Sequence, residues 1–174
     1  MLKGIDPILT PDLLWLMASM GHGDDLAVVD ANHPAERIAR ASVTGRLIRL
    51  PGLHLPQVIG AILKVLPLDA SEPDPIRVMI DAREPDKTPE VHGAVLREIN
   101  RGSDQPIAFG AIERFAFYDS AKRSFGVVQV GDTRSFGCFL IRKGTIRRWS
   151  YASERCIARQ GMRTWGWTAG VATI

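Results

Sequence analysis

The sequence predicts one α/β domain with three layers, in which helices cover both faces of a largely parallel or mixed sheet (α/β/α). Two observations carry this prediction. Segments with helical apolar spacing alternate along the chain with short apolar runs that are rich in β-branched residues. A length of 174 residues with 45% hydrophobic content also suits a single domain with a substantial core.

The first predicted elements are a helix over residues 10–20 and a buried strand over residues 26–29. Thr10 is a suitable N-cap, and Gly21 is expected to end the helix in a left-handed conformation. The strand is a short apolar run, and it stops at Asp30.

The middle of the chain continues the alternation of strands and helices. Polar and apolar residues alternate in the predicted strand 46–50, and Pro67 ends the next helix. The predicted elements are a strand over 46–50, a helix over 56–66, a strand over 76–80 and a helix over 88–99.

The last predicted elements are a short helix over 114–122 and two strands, 125–130 and 138–141. A polar turn joins the two strands. If the second strand extends back to Phe136, then Phe136 and Cys138 point to the same face, because side chains in a strand alternate with a period of two.

The positive charge is concentrated at the end of the chain. Five arginines and one acid lie from Arg147 onward, whereas the first 146 residues carry 17 basic and 18 acidic groups. The basic pI therefore does not indicate a nucleic-acid surface. We predict a domain over residues 1–146 and a basic, tryptophan-containing appendage over residues 147–174.

The remaining composition favours a cytoplasmic protein. No apolar run is long enough for a membrane helix, and the first residues lack the apolar core of a signal peptide. Cys138 and Cys156 have neither CxxC spacing nor partners for a disulfide framework.

The most specific local motif is Gly21-His22-Gly23-Asp24, in which two glycines leave an imidazole uncovered. A position after a helix C-terminus favours a protonated histidine, which suits a proton donor. On physical grounds alone, a histidine that simply lies in solvent is the more common explanation of such a motif.

Other candidate residues are less specific. Asp30 follows a strand, where ligands of α/β domains bind, although it could simply cap the next turn. No metal site is predicted, because no metal-binding spacing occurs among His22, Asp24, Asp25, Asp30 and His33. The architecture is Rossmann-like, but the Gly21-x-Gly23 pattern follows a helix and does not predict dinucleotide binding.

Residues 114–118 read Arg-Phe-Ala-Phe-Tyr and combine a cation with aromatic rings. A sugar pocket needs polar partners for hydroxyl groups and flat apolar faces for ring C–H groups. An ordinary amphipathic helix has a similar composition, so this segment alone does not distinguish a sugar pocket from an ordinary helix face.

Several of these motifs together resemble the ribose pyranase and L-fucose mutarotase family, and most closely its L-fucose branch. The resemblance covers about residues 1–146. The matching segments, in the family's order, are Met1-Leu2-Lys3-Gly4-Ile5, Gly21-His22-Gly23-Asp24, Asp30, Leu66-Pro67-Leu68-Asp69, residues 114–118 and Leu140-Ile141-Arg142-Lys143-Gly144.

The resemblance implies a cofactor-free isomerase that interconverts the α and β anomers of a free monosaccharide such as L-fucose. It implies that His22 is the proton donor, and that the sugar contacts are Asp30, Asp69, Arg114 and Tyr118. Cys138 is a further candidate contact, because it stands where the family has an asparagine. It also implies a homo-oligomeric ring, commonly a decamer, with sites near subunit boundaries.

One segment departs from the family. Phe136-Gly137-Cys138 stands where the family usually has Tyr-Gly-Asn, so a phenol and an amide are replaced. This departure leaves two alternatives open. One is a non-catalytic sugar-binding accessory of a monosaccharide transport or utilisation system, and the other is a D-ribose pyranase.

Overall fold

The computed structural model describes residues 2–84, 87–101 and 106–146, which form five helices and a six-stranded sheet. The predicted appendage at 147–174 lies outside these residues. The elements in chain order are α1 (Pro11–Ser19), β1 (Asp25–Val29), α2 (Ala35–Ala41), β2 (Leu47–Leu50), α3 (Leu55–Leu63), β3 (Ile76–Ile80), α4 (Glu90–Ile99), β4 (Gly110–Glu113), α5 (Arg114–Lys122), β5 (Gly126–Val130) and β6 (Cys138–Arg142).

The sheet is mixed, with the strand order β2-β5-β1-β6-β3-β4. Strands β1 and β2 pair in parallel with β5, and β3 pairs in parallel with β4. Strand β6 lies between β1 and β3 and is antiparallel to both. The start of β6 therefore lies at the edge where the parallel strands end.

Two apolar clusters pack against the opposite faces of the sheet. Helices α1, α3 and α4 contribute to one cluster, in which Val28 and Val128 face them. Helices α2 and α5 contribute to the other, in which Ala27 and Val127 face them. Because side chains alternate between the faces of a strand, this arrangement gives three layers and confirms the predicted α/β/α class.

The structure contains two elements that the sequence did not predict, α2 and β4. Helix α2 has seven residues and begins after Pro34, which offers no side-chain cap. Strand β4 has four residues, lies at the edge of the sheet and begins with a glycine. Both elements are too short for a clear apolar period.

The prediction that a left-handed Gly21 ends α1 was wrong. Gly23, not Gly21, has a left-handed backbone (φ 84°). The helix is capped by the ammonium group of Lys143, which donates to the carbonyl oxygens of Met17 (2.8 Å) and Met20 (2.6 Å). A cation at this position complements the negative end of the helix dipole. No helix in the described ranges has the length and apolar character needed to cross a membrane.

Candidate active site

A pocket opens where the parallel strands end, which is the ligand-binding edge of many α/β sheets. Cys138, the first residue of β6, pairs with Val29, the last residue of β1, and this pairing brings Asp30 beside Cys138. The cavity has a volume of about 250 Å³. Its lining includes Asp30, Asn32, His33, Met79, Arg83, Arg114, Tyr118, Ser135, Phe136 and Cys138.

Asp30 is buried in the wall of this pocket and retains 4% exposure. Its carboxylate accepts hydrogen bonds from the backbone N–H groups of Asn32 (2.8 Å) and Gly137 (3.0 Å), and the Cys138 thiol lies 3.6 Å away. Burial raises the pKa of Asp30, and these hydrogen bonds partly oppose the increase. Asp30 thus remains a well-positioned acceptor.

Arg114 and Tyr118 lie one turn apart on α5 and reach the same pocket. The Arg114 Nε group donates to the Tyr118 hydroxyl at 3.1 Å, and this bond raises the pKa of Arg114. The guanidinium group retains further N–H donors. The structure therefore brings together four of the six predicted site residues: Asp30, Arg114, Tyr118 and Cys138.

The backbone of Phe136 is left-handed (φ 62°), which is strained for an aromatic residue. The strand therefore does not extend back to Phe136, and β6 begins at Cys138, as predicted. The buried His92 ring, on α4, lies with its Nε2 2.8 Å from the Phe136 carbonyl oxygen and holds the turn in place. Both Phe136 and Cys138 line the pocket, but a tight turn places them there.

A second contact holds the loop between β5 and β6. The Arg134 guanidinium binds both carboxylate oxygens of the buried Asp132, at 2.9 and 2.6 Å. Asp132 also accepts from the backbone N–H of Leu55 at the start of α3 (3.3 Å). The Arg134 side chain lowers the pKa of Asp132 to about 2, because it stabilises the ionised form.

His22 and Asp69 lie at the opposite end of β1. His22 is 53% exposed, and its Nε2 is 3.1 Å from an oxygen of the largely buried Asp69. Hydrogen bonds from Ser71 lower the pKa of Asp69, so the carboxylate stays ionised beside the ring. The Gly23 N–H donates to the Lys143 carbonyl (2.9 Å), which fixes the loop at this end.

The predicted site residues of one chain thus form two separate groups. Strand β1, with five residues, lies between His22 and Asp30. At 3.3 Å per residue it spans about 17 Å, which exceeds the reach of either side chain. Within one chain, His22 and Asp69 do not reach the pocket that contains Asp30.

Sequence reasoning missed His33 and Arg83 as pocket residues. Arg83 follows β3, as Asp30 follows β1, so a search of the residues just beyond each strand would have found it. His33 was considered only as a metal ligand. Across the described residues, no group of three or more His, Cys, Asp or Glu side chains is arranged to hold a metal ion.

Comparisons with known proteins all point to one protein family. The model of the RbsD / FucU transport protein family matches residues 3–146. The chain is 39% identical over 148 residues to the fucose mutarotase of Homo sapiens, covering 83% of this chain and 94% of that protein. It is 34% identical over 145 residues to the L-fucose mutarotase of Histophilus somni (strain 2336), with 83% and 96% covered.

A solved structure agrees with these relatives. The crystal structure of the fucose mutarotase from Streptococcus pneumoniae in complex with L-fucose superimposes with a TM-score of 0.74 and 29% identity. The match covers 83% of this chain and 99% of that protein. The similarity therefore extends over the whole α/β/α domain.

Proposed function

The chain belongs to the RbsD / FucU transport protein family, and we propose from this membership and from its pocket that it is a mutarotase. It interconverts the α and β anomers of a free monosaccharide, and L-fucose is the first candidate substrate. The observation that carries the proposal is the convergence of Asp30, Arg114 and Tyr118 on one small polar pocket.

The proposed reaction is acid–base catalysed ring opening. The ring oxygen of the pyranose gains a proton while the anomeric hydroxyl loses one, and the bond between C1 and the ring oxygen breaks. Rotation about C1–C2 and reclosure give the other anomer. Proton transfer by a positioned side chain typically accelerates such steps by about a hundred- to ten-thousand-fold. The chemistry needs no metal or redox cofactor.

His22 is the proposed proton donor. Its Nε2 interacts with Asp69, which leaves Nδ1 as the nitrogen that exchanges a proton with the sugar. The carboxylate of Asp69 holds the ring in position. We therefore place Asp69 with His22 and apart from the sugar contacts around Asp30.

We propose that the complete site forms between two copies of the chain. The separation of His22 from Asp30 prevents one copy from supplying both, whereas the exposed His22 of one copy can enter the pocket of another. A closed ring, such as a decamer, lets every copy both give and receive a histidine.

In the proposed complex, the pocket residues bind the sugar hydroxyl groups. Arg114 donates hydrogen bonds, Asp30 accepts them, and Tyr118 supplies a ring face beside its hydroxyl. Cys138 contributes only a weakly polar thiol at this position. We place the protein in the cytoplasm, where this free thiol stays reduced.

Anomer exchange measured by saturation-transfer NMR tests the proposed activity. We expect the protein, with EDTA present, to exchange the α and β anomers of L-fucose faster than buffer does. D-Ribose is measured in parallel, because a ribose pyranase would prefer it. Absence of catalysed exchange with every free sugar tested would refute the mutarotase proposal.

Mixing two inactive variants tests the shared site. His22→Ala and Asp30→Asn should each lose exchange, and co-refolded mixtures should recover a fraction of it, because some interfaces combine an intact His22 with an intact Asp30. Co-refolded Arg114→Ala with Asp30→Asn is the matched control, since both changes lie in the same pocket. Equal recovery in the two mixtures, or none in the first, contradicts a site formed between copies.

A non-catalytic sugar-binding accessory is the second candidate. The observation that favours it is the position of Cys138, whose thiol is 2% exposed and faces Asp30 and His33 inside the pocket wall. The thiol therefore does not replace the amide that the family usually has at this position. Isothermal titration distinguishes the two functions. Binding of L-fucose without catalysed exchange would support the accessory.

A further inference from the structure

His33 lies in the wall of the pocket beside Asp30. Its ring is 6% exposed and packs against the rings of Phe117 (5.9 Å between centroids) and Tyr118 (5.3 Å). The Nδ1 atom lies 3.4 Å from the Cys138 sulfur. The imidazole, the thiol and the Asp30 carboxylate thus form a chain of three polar groups.

The chemistry of these three groups determines where the protons lie. An ionised carboxylate only accepts hydrogen bonds, and a thiol has one proton to donate. The Cys138 thiol donates to the Asp30 carboxylate rather than to the His33 imidazole, because a charged acceptor makes the stronger hydrogen bond. The sulfur then accepts from His33, which places the imidazole proton on Nδ1 and leaves a lone pair on Nε2.

The pKa shifts agree with this assignment. Burial raises the pKa of the Cys138 thiol well above its ordinary value, so the thiol keeps its proton at neutral pH. Burial also lowers the pKa of His33 to about 4, so the imidazole is neutral and has only one N–H.

The Nε2 atom of His33 is without a hydrogen-bond partner, and among the described residues it is the one such buried side-chain nitrogen or oxygen. Native proteins rarely leave a buried polar atom unsatisfied, and such atoms have a functional explanation in many cases. Here the atom belongs to a side chain that lines the sugar pocket.

We propose that His33 is a specificity-determining residue whose Nε2 accepts a hydrogen bond from one hydroxyl group of the bound sugar. This inference rests on the proposed function. Arg114 can only donate hydrogen bonds, so His33 adds an acceptor that requires a hydroxyl proton. The half-buried ring of Tyr118 packs on His33, so the inference requires this ring to move aside when the sugar reaches Nε2.

The tautomer of His33 can be measured without any activity. Long-range ¹H–¹⁵N NMR should show the proton on Nδ1 in the wild-type protein. Cys138→Ala removes the acceptor and should abolish this preference. Cys138→Asn is the matched control, because an amide can donate to Asp30 and accept from Nδ1. A proton on Nε2 in the wild-type protein would overturn the inference.

Substrate analogues test the recognition itself. Monodeoxyfluoro analogues of L-fucose each replace one hydroxyl with an atom that does not donate. We expect the wild-type protein to disfavour the analogue that lacks the hydroxyl bound by His33 by about two- to tenfold, the usual effect of one hydrogen bond. His33→Asn, which has no atom at the Nε2 position, should lose that discrimination, whereas His33→Gln should keep part of it. An analogue that lacks a hydroxyl bound by Asp30 should be disfavoured by the wild-type protein and by the His33 variants alike.

The analogues are measured both by anomer exchange and by isothermal titration. If the wild-type protein binds L-fucose without exchange, the proposed activity fails, and binding alone then tests His33. If His33→Asn is folded, as judged by its melting temperature, and keeps full discrimination, the inference about His33 is wrong.

Discussion

His22 is exposed and contacts Asp69 through one ring nitrogen, so little packing depends on it. We expect His22→Ala to abolish anomer exchange and to lower the melting temperature by less than about 8 °C, the shift for a couple of kcal/mol in a domain of this size. Exchange NMR and thermal melting measure the two effects separately.

His54→Asn is the matched control for this change. His54 is also an exposed histidine, at the N-cap of α3, and asparagine is a good N-cap residue. The control should keep both its exchange rate and its melting temperature. A fall of more than about 8 °C for His22→Ala would assign His22 a structural role.

Cys138→Asn should strengthen sugar binding or speed exchange by about two- to tenfold, because an amide makes stronger hydrogen bonds than a thiol. Adding Phe136→Tyr should increase the effect. Both positions line the pocket, and the left-handed turn at Phe136 brings them together. Kinetics on L-fucose that stay unchanged or worsen in the double variant would indicate adaptation to another sugar.

The sequence could identify individual candidate site residues, but not which of them lie together in the folded chain. Asp30 could be placed after a strand, and Arg114 and Tyr118 on one helix, because local patterns determine these positions. The separation of His22 from Asp30 depends on which ends of the strands meet. That arrangement follows from the pairing of distant segments, such as β1 with β6, which no local pattern specifies.

At the scale of elements, the loop between β5 and β6 depends on Asp132, whose pKa is lowered to about 2. A carboxylate with a lowered pKa stabilises the fold above its unfolded pKa, near 3.8, and this stability is lost as the pH falls toward 2. The contribution is about 2 kcal/mol. Asp132→Asn should remove this part of the acid sensitivity.

His33 acts in a higher pH range. Its folded pKa of about 4 lies below the ordinary value of 6.5, so the unfolded chain binds a proton first as the pH falls. Stability therefore decreases between pH 6.5 and 4, and His33→Phe should flatten this part of the curve. Urea unfolding at a series of pH values measures both ranges. Identical acid curves for all three proteins would contradict these assignments.

Elements with a clear apolar pattern could be predicted, whereas α2 and β4, which lack one, could not. The predicted helix over 88–99 matches α4, because its apolar residues repeat over nearly three turns. Helix α2, with seven residues and no side-chain cap, is stabilised by packing against the sheet and α5. Tertiary contacts of this kind override weak local propensity.

At the scale of the whole molecule, both apolar clusters and the complete sheet lie within residues 9–142. We therefore expect deletion of residues 149–174 to leave folding and anomer exchange intact. Thermal melting, light scattering and exchange NMR check this expectation. A truncated protein that is insoluble, or that changes its oligomeric state, would show that these residues form part of an interface.

Within one copy, strand β6 connects the pocket of one proposed shared site with the His22 that this copy supplies to the next site. It begins at Cys138, beside Asp30, and Lys143 follows its last residue and holds the loop of His22. In a ring of copies, the length of β6 therefore sets the distance between two neighbouring sites. At one of these sites the copy binds the His22 of a neighbour, and at the other it supplies its own His22. If the site is shared in this way, an insertion or deletion in β6 disturbs two neighbouring sites at once.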